Sequence, residues 1–252
     1  MTKHNKVILS KILIILLIII CLCGVLYFTI DLVIRKNHAN ENNSIKSSLN
    51  DNIEVSENPQ DKDALRIKID FDALKSINDD VVGYVKVNNT GIDYVVVQGE
   101  DNDYYLNHNF EKEWNVAGWV FADFRNRFDG SDKNIIIYGH NISDGSMFGS
   151  LEKVLSAEWY EDQNNHEILL VTEDGEYKYR VFSVYSIEPE DYYVSTDFAS
   201  ADEFRIFVKT IQERSIYKFD VDVLTEDRIL TLSSCLGNGE RRVVLHAKLV
   251  KD

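Results

Sequence analysis

"RILTLSSCLGNGERRVVLHAKLV", residues 228 to 250, holds two strand-like runs separated by Asn238-Gly239. That dipeptide is the strongest short-range hairpin signal, because a type I′ turn needs positive φ at both central residues. With those two as the loop, Gly237 faces Glu240, Leu236 faces Arg241 and Cys235 faces Arg242. Opposed residues share a face with Cβ atoms about 5 Å apart, so Arg242 rather than Arg241 is expected beside Cys235. A wider loop, which the neighbouring glycines allow, breaks this register. A guanidinium near a thiol favours the thiolate, and it offers a planar fork of donors to an oxyanion. Taken alone, such a pair reads first as a buried cysteine beside a surface arginine.

Working outward, most of the chain repeats the pattern of this stretch. "VGYVKV", "IDYVVVQ", "GWVFADF", "NIIIYG", "EILLVT", "EYKYRVFSVYSI", "RILTLSS" and "RRVVLHAKLV" are β-branched and aromatic runs bounded by polar turn residues. Asp174-Gly175 marks a second hairpin. So many short strands with few long helices predict a mainly β fold, a closed or nearly closed barrel.

Helical spacing interrupts the strands in three places. Phe71, Leu74 and Ile77 predict a short docking helix that stops at Asn78 to Asp80. Met147, Phe148, Leu151, Val154 and Leu155 share one face of "SMFGSLEKVL". "SADEFRIFVKTIQERS" opens on a capping box, Ser200 and Glu203, and carries Phe204, Phe207, Val208 and Ile211 at i, i+3, i+4 and i+7. The latter two stripes are expected to face the core.

At the N-terminus, "ILIILLIIICLCGVLYFTI" from Ile12 to Ile30 is uncharged and follows Lys3, Lys6 and Lys11. It is long enough to cross a hydrocarbon core of about 30 Å as a helix, and it lacks the A-x-A-like site of a cleaved signal peptide. Residues 1 to 36 are therefore read as a cytoplasmic tail and an uncleaved signal anchor, with the C-terminal domain outside the cell. Residues 37 to 64, rich in Asn, Ser, Asp and Glu, read as a solvated polar tether, and residues 65 to 252 as the globular domain.

The net charge of −15 argues against a nucleic-acid partner, since binding a phosphate backbone requires clustered Lys and Arg. Cys21 and Cys23 lie in the apolar segment, so Cys235 is expected to be a free thiol. Of the six histidines, His4 and His38 flank the membrane segment, and His108 and His166 lie in polar, turn-like surroundings. His246 would face Thr231, roughly 13 Å along the strand from Cys235, too far for a hydrogen bond. His140 ends the apolar run "NIIIYGH" before a helix, where a rigid scaffold presents functional side chains. By position it is the candidate base.

"TLSSC" at a strand end, Arg242 opening the next strand, and "YGHN" well upstream together resemble the signature of sortases, membrane-anchored cysteine transpeptidases of Gram-positive cell surfaces. "DFDALKSINDDVVGYVKV", "DYVVVQGEDNDYYLNHNF", "VFADFRN" and the helical segment before the cysteine strand are similar to class B sortases. Ser234 departs from the Thr usual before the cysteine, a change that keeps a hydroxyl. The resemblance covers about residues 65 to 252. It implies an eight-stranded sortase-type β-barrel with added short helices, in which Cys235 is the nucleophile, His140 the general acid and base, and Arg242 the oxyanion stabiliser.

The implied reaction cleaves a C-terminal sorting signal of N-P-x-T-like type after Thr, through a thioacyl enzyme, and joins the surface protein to an amine of peptidoglycan or its lipid-linked precursor. It requires neither cofactor nor metal. The resemblance also implies a substrate groove formed by Asn102, Leu106, Tyr193, Val194 and Ser233. Leu106 and Val194 read equally as core residues, and Asn102 as a turn residue. Three other functions compete: a cysteine hydrolase, a pilus-type sortase whose acceptor is a lysine on another subunit, and a membrane-tethered module whose Cys, His and Arg are structural.

Overall fold

A computed structural model describes residues 3–58, 61–235 and 241–250 of the chain. The Asn238-Gly239 turn lies outside these residues. The chain divides into two compact units, Met1–Glu41 and Asn42–Asp252. Within the first, helix α1 (Lys3–Leu49, continuing past the unit's end) exposes the unbroken apolar run from Ile12 on every side. Such a helix is long and apolar enough to cross a membrane.

In the second unit, the elements after α1 are strands β1 (Ile53–Asn58) and β2 (Asp61–Ile69), helix α2 (Phe71–Ile77), and strands β3 (Val81–Val87), β4 (Asp93–Val97), β5 (Phe121–Ala122) and β6 (Asn134–His140). Helix α3 (Ala157–Glu161), strands β7 (Glu167–Thr172) and β8 (Gly175–Ile187), helix α4 (Ala201–Arg214), and strands β9 (Ile229–Cys235) and β10 (Arg242–Leu249) complete it. Strands β3 to β10 close a barrel in the order β10-β8-β7-β3-β4-β5-β6-β9, so each strand-like run of the sequence has its place. Closure leaves no unpaired edge. Two neighbouring pairs are parallel, β4 with β5 and β6 with β9, and the remainder antiparallel.

The barrel is filled by alternating inward side chains such as Val85, Val96, Ile137, Leu170, Val184 and Leu232, all essentially without solvent contact. Helix α4 covers a second apolar cluster with Phe204, Phe207, Val208 and Ile211, as its spacing predicts. Each such side chain removed from water contributes about 1.5–3 kcal/mol. Its capping box forms with a shift: Ser200 Oγ accepts from Glu203 N, while the Glu203 carboxylate accepts from Ala199 N. Met147 and Phe148, and Leu151 and Val154 on the 3₁₀ turn that follows them (Gly149–Leu155), are buried as expected. In α2, Leu74 is buried but Ile77 is half-exposed, because that helix stops after seven residues. The β7–β8 loop is Glu173-Asp174, with Gly175 already paired to Thr172 at a φ of 146°.

The expected tether departs from its reading. Helix α1 runs on to Leu49, and Asn42, Ile45 and Leu49 are buried in the second unit. These residues recur at i, i+3 and i+7, one narrow stripe on an otherwise polar helix. After a short 3₁₀ turn, β1 pairs antiparallel with β2 from Ile53↔Ile69 onward, a two-stranded ribbon outside the barrel.

Candidate active site at the mouth of the barrel

Strand β6 ends at His140 and β9 at Cys235, and the two residues are partners in the parallel register that starts at Asn134↔Ile229. Adjacent strands lie about 4.8 Å apart, so residues far apart in the chain become neighbours at one rim. Strand β10 pairs with β9 from Lys248↔Ile229 to Val244↔Ser233. The observed pairing ends there; the same register carried two residues further would set Arg242 against Cys235.

His140 is half-buried, and its Nε2 lies 2.7 Å from the Leu106 carbonyl. A carbonyl only accepts, so Nε2 carries the proton and the neutral ring keeps its lone pair on Nδ1. Burial lowers the pKa of His140 below the ordinary imidazole value, and the Leu106 bond offsets this in part. Gly118, at a φ of 57°, sits against the ring: a Cβ there would collide with the Tyr105 and Leu106 carbonyls and lie 3.0 Å from His140 Cδ2. Glycine is thus required both for its backbone conformation and for the closeness of the ring.

Arg242 is half-buried and donates from Nη1 to Tyr193 Oη at 3.1 Å. The Tyr193 hydroxyl also shares a hydrogen bond with Ser233 Oγ, 3.0 Å away. Arg241 is exposed and turned to β8, donating to Ser186 Oγ at 3.0 Å and to its carbonyl at 2.7 Å. The two adjacent arginines therefore serve different surfaces.

A groove of about 270 Å³ opens beside these residues, with Asn102, Leu106, Phe121, Tyr138, Val194, Ser233 and Arg242 in its walls. Tyr193 is fully buried behind it. A larger cleft of about 540 Å³ between the β1–β2 ribbon and α2 shares no wall residue with the groove and is lined mainly by charged side chains.

Under the groove lies a cluster that the sequence did not single out. Asp123 is fully buried and accepts from Tyr138 Oη at 2.9 Å, Asn102 Nδ2 at 3.0 Å, and Arg125 Nε and Nη2 at 2.8 and 2.7 Å. Burial alone would raise its carboxyl, but the hydrogen bonds and charge of Arg125 with the Tyr138 bond hold it below the usual range. Arg125 Nη2 also reaches the Val194 carbonyl at 2.8 Å. The Asn102 amide is committed to this cluster, its Oδ1 accepting from Phe124 N.

Residues 85–250 match the family model described as "Sortase domain". Sortase B of Staphylococcus aureus is 36% identical over 73% of this chain and 76% of its own length. Sortase B of Listeria monocytogenes is 38% identical over 70% of this chain and 72% of its own. The crystal structure of sortase B from B. anthracis in complex with AAEK1 superposes with a TM-score of 0.74 at 36% identity, covering 85% of this chain and 99% of that one.

Proposed function

Because the chain belongs to the sortase family, whose members are cysteine transpeptidases, we propose that Cys235 is its nucleophile, His140 its general acid and base, and Arg242 its oxyanion donor. The observation that carries this assignment is the parallel pairing of His140 with Cys235 at one rim of the barrel, with Arg242 opening the strand beside it.

In the first step His140 Nδ1 takes the thiol proton as sulfur attacks the Thr carbonyl of a sorting signal. Negative charge moves to the carbonyl oxygen, where the Arg242 guanidinium stabilises it. As the C–N bond breaks, the imidazolium returns the proton to the leaving amine, and the acyl group stays on sulfur. An amine of peptidoglycan or its lipid-linked precursor then attacks the thioester, gives its proton to His140 and releases the thiol. The groove beside Arg242, walled by Leu106 and Val194 and floored by Tyr138, takes the residues preceding the scissile Thr. An N-P-x-T-like signal fits its mixed apolar and polar walls. Tyr193 acts behind it by seating Arg242, while Ser233 and Asn102 contribute to its walls. Helix α1 anchors the enzyme in the cell membrane with the catalytic unit outside, where surface proteins and wall precursors meet.

The test is intact-mass analysis of the full chain in detergent, mixed with sorting-signal peptides. We expect a mass gain equal to the acyl fragment, absent in Cys235→Ala and discharged by added amine with formation of an amide. Release of free acid alone, with no amide at any amine concentration, would instead mark a hydrolase.

A further inference from the structure

His246 is fully buried within β10, paired with Thr231 of β9, and has no place in the chemistry above. Both of its ring nitrogens are engaged: Nδ1 lies 2.9 Å from Thr231 Oγ1, and Nε2 lies 2.8 Å from Tyr185 Oη. Hydrogen bookkeeping fixes every direction along this line. Asn134 Nδ2 donates to the Ser195 carbonyl at 2.9 Å, so its Oδ1 is the acceptor that receives the single hydrogen of Thr231, 2.8 Å away. Thr231 Oγ1 must then accept from His246 Nδ1–H, which leaves Nε2 to accept from Tyr185. Tyr185 Oη in turn accepts from Tyr192 Oη at 2.9 Å. A directional chain therefore runs Tyr192, Tyr185, His246, Thr231, Asn134, Ser195, with no donor left over.

Its two ends are three residues apart. Tyr192 and Ser195 bracket the segment that carries Tyr193 and Val194, and Asn134 N adds a bond to the Thr196 carbonyl at 3.3 Å. Between those anchors Tyr193 holds Arg242 through its hydroxyl. The ring of His246 also stands edge-on to Tyr193, with centroids 6.4 Å apart.

The structure assigns to His246 the part of a positioning residue for Arg242: as a neutral, Nδ1-protonated imidazole it joins two halves of a buried chain that pins both ends of the 192–196 segment, and thereby the Tyr193 hydroxyl on which Arg242 rests. The assignment builds on the oxyanion role of Arg242 proposed above. A purely structural histidine would need only to fill space. This one transmits the direction of a hydrogen bond, because an imidazole with one donor and one acceptor nitrogen can link a hydroxyl that donates to another that must accept.

The experiment is a double-mutant cycle on the full chain between Tyr192→Phe and Thr231→Val, which remove hydroxyls on opposite sides of the ring. Each single change is expected to lower kcat for acyl-enzyme formation about fivefold with KM little changed, and the double change to lower it no further than the single changes do. Independent structural defects would multiply instead. In the wild-type chain, nitrogen NMR of labelled histidine is expected to show a protonated Nδ1 and a bare Nε2 for His246, and in Tyr192→Phe the Nε2 signal is expected to shift. Multiplicative losses, unchanged kcat, or an Nε2-protonated His246 overturns the proposal. Tyr192 is only partly buried, so its variant keeps the test open if Thr231→Val fails to fold. Arg242→Ala separates the two layers: if it keeps full activity, the oxyanion reading falls, whereas if it is inactive while both chain variants are normal, only the role of His246 falls.

Discussion

Two histidines sit in strands of this barrel with only β9 between them, and they do opposite things. His140 ends its strand at the rim, and among the described residues only its Nε2 has a hydrogen-bond partner, the Leu106 carbonyl. His246 lies mid-strand with both nitrogens engaged and no solvent contact. Burial lowers the pKa of both, that of His246 to about 3. What separates them is which nitrogen remains available: a ring held by one bond keeps a lone pair for chemistry, whereas a ring held by two becomes part of the scaffold.

Changes that erase or exchange these roles make the comparison testable. The largest effect is expected at the rim: His140→Ala should lower kcat/KM about a thousandfold while leaving the thermal transition near that of the parent. Next, Arg242→Lys should cost about a hundredfold in kcat, because a point charge cannot reproduce the fork that bonds Tyr193 and, in the proposed role, the oxyanion. The groove floor should behave differently: Asp123→Asn weakens the bonds that fix Asn102, Tyr138 and Arg125, and is expected to raise KM about tenfold with a smaller effect on kcat. Steady-state kinetics with one peptide resolve all three. The smallest effect is expected at Arg241→Ala, which should stay within about twofold of the parent because its bonds are exposed and on β8. A crippled Arg241→Ala would mean that the cysteine faces the other arginine.

His246 sharpens the contrast in another observable, stability against pH. Its folded pKa lies below its unfolded value near 6.5, so the unfolded chain binds more protons between the two. The stability from its neutral burial is fully present above about pH 6.5 and declines as pH falls toward 3. The total is on the order of 5 kcal/mol if all of the difference is realised. Acid unfolding of the full chain should therefore lose this slope in Thr231→Val if burial of the ring is relaxed there. The activity limb belonging to His140 should also fall below the ordinary imidazole range, because its pKa is lowered too.

The barrel was legible because each strand is a β-branched run bounded by turn residues, and the register of the last pair followed from counting outward from Asn238-Gly239. His246↔Thr231, the partner relation derived that way, is the one observed. Other features were hidden for physical reasons. Asn42, Ile45 and Leu49 are a thin stripe on a segment whose average composition is that of a tether, and one buried asparagine carries no hydrophobic signal. Asn42 is nevertheless anchored, donating to the Gly118 carbonyl at 2.8 Å. Asp123 and Arg125 sit inside "VFADFRN", where only two residues pair as strand, and their value lies in contacts with Asn102 and Val194, both distant in sequence. Asn102 and Leu106 could not be separated from turn and core residues by sequence. In the fold they are groove wall, while Tyr193 proves to be support behind it.

The barrel's parallel seam also governs when the site comes into being. Cys235 belongs to β9, and β10 must insert between β8 and β9 to close the ring. The partner of His140 is thus supplied by a strand far downstream, and its register depends on a long loop being drawn shut, which is slow compared with forming neighbouring hairpins. A chain in which β3, β4, β7 and β8 have already paired can still hold Cys235, His140 and Arg242 apart. On the proposed chemistry, reactivity arrives only with closure, so a half-made molecule has no assembled site to turn on its neighbours.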